Sequence, residues 1–512
     1  MTLFSECLDD FIDDENPVKL IDAFVSMKGI GRTCRHRLSS EDQEMLSIVC
    51  DETPLSRRAV LTVGGLGFGG LSLANLLAAN ASAGANQKPI TTGKSVIFLL
   101  QHGGPTQFET FDPKMDVPDG IRTIGGVAQT STPGVLFGSA MARLSQHAHR
   151  MAVVRSYATG SGGHSIRPLI SSASRDANIG SLYSRLAGAN NPANGMPTNI
   201  TLFPNAVEPR DLGPDERFGK FTQTGDLGAS SAPFSPGNGT TMQRNMTLSL
   251  PRKRFDDRRT LLASLDGLRR TLDQSGAVEG VDAYRRQAYD MILQGVADAF
   301  DLTKENSSVV ARYDTSQYVH STGYQDKTNA RKGREWYQSN ARTLGKLLLL
   351  ARRLCEAGAR FVTVATRFVW DMHADANNLE ITRGMEAVGR PFDHAVSAFI
   401  EDCEDRGLSD DILLVSTGEM GRTPKINQKG GRDHWGRLTP LMLHGGGITR
   451  GQVIGQSTRD GGEPSADAVG SDHLIATIMR TLFDGAELRL RSGLPAELVR
   501  FAASGDPIPG LF

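Results

Sequence analysis

Residues 95–105 read Ser95-Val-Ile-Phe-Leu-Leu100-Gln101-His102-Gly103-Gly104-Pro105. An unbroken apolar run that stops at a Gly/Pro loop predicts a strand buried on both faces. Such a strand sits in the middle of a parallel sheet and delivers residues at its carboxyl end. Outward from it, Ala152–Arg155, Asn199–Phe203, Phe361–Ala365, Ile412–Ser416 and Pro440–His444 read as further strands. Helical spacing covers Arg258–Gln274, Val281–Phe300, Trp336–Glu356, Pro391–Arg406 and Asp472–Leu482, with Gly358 and Gly407 as stops. Strands alternating with helices predict an α/β fold, a doubly wound and mostly parallel sheet with helices on both faces. Residues 94–512 are expected to form one domain, interrupted by a loop-rich, lid-like insertion at 204–250 that is dense in Gly, Ser, Pro and charge.

The chain has 56 basic and 57 acidic side chains among 512 residues. That balance excludes nucleic acid as a partner, since phosphate binding needs a basic surface. The 56 glycines exceed the usual ~7% but follow no period, which excludes collagen. No internal repeat or heptad seam occurs.

Upstream, Ser56-Arg57-Arg58-Ala59-Val60-Leu61 opens an apolar stretch to Ala79 diluted by Gly64, Gly65, Gly67, Gly69 and Gly70. A spanning helix needs about 20 strongly apolar residues. Residues 56–84 therefore read as a twin-arginine signal with cleavage near Ala83, against the alternatives of a buried Gly-rich helix or a retained anchor. The signal implies the Tat export machinery as a partner, a periplasmic or extracellular location, and a mature chain without a stable transmembrane segment. Residues 1–55 form an N-terminal extension that a start at Met45 would largely remove. Past the signal only Cys355 and Cys403 remain, both in helical patterns and expected to be buried thiols.

In open α/β sheets functional groups gather beyond the carboxyl ends of the strands. The predicted strands lead to His102, then Glu109 and Asp112; to Asp371 and His373; and to Glu419 and Arg422, while Asp433 and His434 precede Pro440. One carboxylate and two imidazoles at Asp371, His373 and His434 suit Zn²⁺ or a similar divalent metal ion. Glu419 and Asp433 would extend the metal set or orient it from outside. Arg422 would hold an anionic group as a fork, with His102 assisting. The alternative is a buried ion-pair network tying loops together. Ser165, in Gly160-Ser161-Gly162-Gly163-His164-Ser165, is either a nucleophile or a helix cap. No GxGxxG after a strand, GxxxxGK[ST] or GxSxG occurs, which removes the main nucleotide and α/β-hydrolase readings.

An ordered series of motifs resembles the DUF1501 family of exported, sulfatase-like proteins in the alkaline phosphatase/sulfatase superfamily. It runs through the Ser-Arg-Arg signal, Ser95–Pro105, Phe111-Asp112-Pro113-Lys114, Trp370-Asp371-Met372-His373 and Gly418-Glu419-Met420-Gly421-Arg422-Thr423-Pro424. It continues with Gly431-Arg432-Asp433-His434-Trp435, Gly445-Gly446-Gly447-Ile448 and the ending Pro507–Phe512. The resemblance implies an alkaline phosphatase-like core, with Asp371, His373 and His434 as the first metal site. The superfamily's second site is incomplete, because Gln101-His102 and Glu419-Met420 stand where an Asp and an Asp-His pair are usual. It further implies metal-assisted hydrolysis of an anionic sulfate or phosphate ester, including one on a sulfated polysaccharide. The alternative is a non-catalytic envelope protein that binds anionic glycan or a partner.

Overall fold

The computed structural model of the chain describes residues 88–237, 251, 253–254, 257–258, 288, 296–320 and 331–512. The N-terminal extension, the signal-like segment and nearly all of the helices expected at Arg258–Gln274 and Val281–Phe300 lie outside the described residues. The end of the second, Val296–Phe300, is a 3₁₀ turn.

The decisive stretch is the central strand, β1 (Ser95–Leu100), and every residue of it is buried. Its apolar run serves two cores: Ile97 and Leu99 enter one, while Val96, Phe98 and Leu100 enter the other. Alternating side chains of a strand covered on both faces require this division. The other strands of its sheet are β2 (Met151–Val154), β3 (Asn199–Leu202), β4 (Phe361–Ala365), β5 (Ile412–Thr417), β6 (Leu441–Gly445) and β7 (Gln452–Ile454). Their order across the sheet is β7-β2-β6-β5-β1-β4-β3.

β1 runs parallel to β4 and β5, with Leu100 level with Ala365 on one side and Thr417 on the other. β6 runs antiparallel to both β5 and β2, with Leu441 level with Thr417. The strand expected at Pro440–His444 is therefore present but reversed. Its reversal follows a hairpin of Gly421–Ile426 and Arg432–Trp435, which brings the chain back to the same sheet edge. The result is a level rim formed by the carboxyl ends of β1, β4 and β5 and the amino end of β6.

Helices α1 (Ile179–Ala187), α2 (Arg331–Glu356), α3 (Arg390–Asp405) and α4 (Ser471–Leu482) cover the two faces. Leu347, Leu348 and Leu354 of α2 and Val396 and Phe399 of α3 fill one core; Leu182 of α1 and Leu474, Ile478 and Met479 of α4 fill the other. Each such side chain contributes about 1.5–3 kcal/mol by leaving water. α2 stops at Gly358, whose φ of +103° an L side chain rarely adopts. Cys355 and Cys403 are buried free thiols on α2 and α3, and burial pushes the Cys355 thiol up to about 12. Among the described residues no helix is long and apolar enough to cross a membrane.

The described part of the expected insertion is irregular but packed. Phe221 and Phe234 are buried, and residue 234 extends the sheet edge by a bridge to Ile200.

Candidate functional site

The loop leaving β4 carries Asp371 to the middle of the rim, where it is 2% exposed. The loop lies close against the one leaving β1: the Val369 and Trp370 N–H groups both donate to the His102 carbonyl, each at 3.1 Å. Gly103 makes the approach feasible, since a Cβ there would stand 2.6 Å from the Asp371 nitrogen.

Asp371 is the hub. Its Oδ1 lies 2.6 Å from Arg422 Nη2 and 3.1 Å from His434 Nε2. Its Oδ2 lies 2.9 Å from His373 Nε2 and accepts from the Asn378 amide at 3.0 Å. Arg422 and His434 are cross-strand partners in the hairpin, so their side chains share the face turned to Asp371.

His164 completes the group from the glycine-rich loop that follows β2. Its Nδ1 lies 2.9 Å from Glu419 Oε1. Its Nε2 stands 3.1 Å from His434 Nε2 and 3.6 Å from Asp371 Oδ2. Glu419 is fully buried, and its two carboxylate oxygens also accept from the Gly103 N–H at 2.9 and 3.1 Å.

Electrostatics follow from these contacts. Burial lowers His164 to about 4, aided by His434, Arg422 and His373 against the pull of Asp371, so its imidazole is neutral at pH 7. Burial would raise Asp371, but hydrogen bonds from His373 and His434 and the Arg422 charge hold it well below the usual carboxylate range. The hydrogen bond to Asp371 raises His373, and burial raises Glu419.

The structure brings together five residues anticipated from the sequence: Asp371, His373, His434, Glu419 and Arg422. It adds His164, one residue before the Ser165 that sequence reasoning selected. Ser165 itself is exposed, and its hydroxyl makes no hydrogen bond to the cluster. Asp433 is exposed and accepts from the Asn427 amide at 3.0 Å, pointing away as alternation along the strand dictates. His102 lies beneath the site, 1% exposed and boxed by the rings of Phe218, Phe221 and Phe368. Burial lowers its pKa, and neither anion nor solvent reaches it.

Arg422 is also internal. Its Nε donates to Gly104 O at 2.8 Å and its Nη1 to Arg432 O at 3.1 Å. Its Nη2 serves Gly103 O, Trp370 O and Asp371. Every guanidinium nitrogen is engaged within the chain, so the geometry supports an anchor for Asp371 rather than a fork for an outside anion. Glu109 and Asp112 belong to other networks, Glu109 with Arg432 at 3.1 Å and Asp112 with Lys114 at 3.0 Å.

His164, Asp371 and His434 can each direct one ligand atom to a common point, and they form one such group among the described residues. The donor set suits a divalent ion. A carboxylate oxygen accepts, so Glu419 fixes the proton of His164 on Nδ1 and leaves the Nε2 lone pair facing Asp371 and His434. Nitrogen ligands at 2.0–2.1 Å around a tetrahedral ion stand about 3.3 Å apart; the two histidine Nε2 atoms are 3.1 Å apart, and one ligand atom from each of the three residues lies within 4.8 Å of the others.

Fold and site together define an α/β protein with an Asp/His cluster on the rim of a mostly parallel sheet. The chain belongs to the DUF1501 family, described as "Protein of unknown function (DUF1501)", which it matches over residues 93–506. No protein of curated function matches the sequence. Among solved structures, the PsFucS1 sulfatase from Pseudoalteromonas sp. is similar at 11% identity and a TM-score of 0.33, over 79% of this chain and 70% of that one. The lipoteichoic acid synthase LtaP from Listeria monocytogenes is similar at 9% identity and a TM-score of 0.27, over 81% and 76%. The alkaline phosphatase of the Antarctic bacterium TAB5 is similar at 10% identity and a TM-score of 0.26, over 76% and 98%. Likeness at this level decides nothing about activity, and the chemistry rests on the site itself.

Proposed function

We propose that the protein is an exported, metal-dependent hydrolase of the alkaline phosphatase/sulfatase kind, acting on a sulfate or phosphate ester. The observation that carries this reading is the convergence of His164 Nε2, His434 Nε2 and the Asp371 carboxylate, with Glu419 behind His164. His164, Asp371 and His434 would hold the divalent ion, Zn²⁺ or similar. Such an ion, when bound, polarises an ester oxygen or acidifies a water. Glu419 sets the His164 tautomer, and Arg422 keeps Asp371 ionised and fixed. His373, 22% exposed at the edge of the cluster, contacts Asp371 Oδ2 through Nε2 at 2.9 Å and helps to hold that carboxylate in place.

Export rests on the Arg57-Arg58 segment with its glycine-diluted apolar stretch, which would place the mature chain in the periplasm or outside the cell.

A second reading has its own support. With Arg422 turned inward, and Gln101 tied to the Ser416 hydroxyl at 3.2 Å where a second-site Asp would be usual, the crevice also suits a non-catalytic binder of anionic glycan. A panel of aryl sulfates, phosphate monoesters and diesters, run on metal-loaded protein with Asp371→Ala as the blank, separates the two. Hydrolysis of one ester class above the blank is expected. Rates equal to the blank across the panel would leave only the binder.

A further inference from the structure

Beside the cluster the segment Asp215–Phe218 presents a second group of charges. Arg217 is 59% exposed but not loose. Its Nε and Nη2 donate to the two oxygens of Asp215 at 2.8 and 2.6 Å. Its guanidinium carbon lies 5.2 Å from the Phe218 ring centre and 5.5 Å from that of Trp336. A planar fork gripped on one edge and flanked by rings has already given up its rotamer freedom, and its Nη1 has no partner among the described residues. Arg367, from the same loop as Asp371, approaches the same carboxylate with Nη1 3.3 Å from Asp215 Oδ2. Its buried Nε has no partner. Two guanidinium ions thus face one carboxylate, and the exposed Glu216 of the same segment makes no ion pair with either among the described residues.

This pair adjoins the cluster. Phe218 stacks on Phe368 with centroids 4.8 Å apart, and the His164 ring lies 5.3 Å from Phe218 and 4.3 Å from Phe368. Arg217 is therefore two ring contacts from a proposed metal ligand. That is too far to hold the group reacting there and close enough to hold the next charged group of the same molecule. Arg422, being internal, leaves the anion-recognising role open.

We infer that Arg217 and Arg367 form a second anion subsite, so that the substrate is a multiply charged molecule, a polysulfated glycan, with one charged group docked there while another meets the cluster. The substrate class rests on the ester-hydrolase reading; the subsite itself is read by binding alone.

The test is calorimetric titration of the full chain with a disaccharide sulfated on both rings and its monosulfated counterpart. The wild type should prefer the disulfated sugar roughly tenfold, the scale of one charge-assisted hydrogen-bonded contact. The double variant Arg217→Gln/Arg367→Gln should bind both sugars equally, with metal content unchanged and the fold retained at a lower melting temperature, since the buried Asp215 carboxylate loses both cations. Arg217→Lys, which keeps charge but not the fork, should retain part of the preference and guards against a double variant that folds poorly. Equal affinities in the wild type, or a preference that survives in the folded double variant, would overturn the subsite. Because the readout is a binding ratio, absence of hydrolysis would sink the ester reading and leave the subsite standing.

Discussion

Nδ1 of His164 lies 2.9 Å from Oε1 of Glu419, and the same carboxylate receives the N–H of Gly103. The contact joins the loops after β1, β2 and β5, and it decides which nitrogen of His164 faces Asp371. A buried carboxylate behind an imidazole raises its basicity and fixes its ring. Replacing Glu419 by Gln keeps the shape and removes the charge, so metal affinity should fall by about 10- to 100-fold while the fold persists. Competition with a chelator of known affinity measures this. Unchanged affinity would show that Glu419 is structural only.

Arg422 should matter for stability rather than for anion recognition. Removing one partner of a buried ion pair costs about 3–5 kcal/mol, and Arg422→Ala also strands the carbonyls of Gly103, Gly104 and Arg432. Arg422→Lys should lose a large share of the same stability, because an ammonium cannot span those acceptors. Denaturant unfolding checks both variants. A stable Arg422→Lys protein with impaired anion binding would restore the fork anticipated from the sequence.

A pH effect should come from His444 in β6. Burial pushes this imidazole down to about 4 from its usual 6.5, while its Nδ1 donates to Arg150 O at 2.8 Å. A His depressed in the folded state contributes stability that is present above pH 6.5 and is lost as pH falls toward 4. By pH 5 the loss should reach about 2 kcal/mol. His444→Gln keeps a donor without the titration, so its stability should fall less than the wild type's between pH 7 and pH 5. Parallel urea curves at the two pH values decide it.

Export should depend on the paired arginines. With Arg57 and Arg58 both changed to Lys, the full-length precursor should accumulate inside the cell. Fractionation followed by mass measurement reads this directly; normal processing of the variant would refute the twin-arginine reading.

The central sheet was legible because β1, β4 and β5 are apolar on both faces, and no surface strand reads that way. The direction of β6 was not, because its residues resemble those of a parallel strand and only the 421–435 hairpin sets its course. At the site, Asp371, His373, Glu419 and Arg422 were legible as polar groups just past predicted strands, and His434 as one just before the strand predicted at Pro440. The role of Arg422 was hidden because, apart from Asp371, its guanidinium partners are main-chain carbonyls, which have no sequence signature. His164 was overlooked for its neighbour Ser165. The available signal was a lone imidazole in a glycine run beyond a strand's carboxyl end, the same cue that marked His102. Phe218 and Arg217 came from a stretch whose composition announced only a loop.

The most direct test is the metal content of the purified chain and its ligand variants, by elemental mass spectrometry. The wild type should carry about one divalent ion per chain, as a single set of three ligands requires. His164→Ala, Asp371→Ala and His434→Ala should each lose the ion and melt at a lower temperature, since bound metal stabilises by mass action. Ser165→Ala should keep it. A wild-type chain that stays metal-free in excess Zn²⁺, Mn²⁺ or Ca²⁺, or a folded His164→Ala chain that keeps its full complement, would contradict the proposed centre.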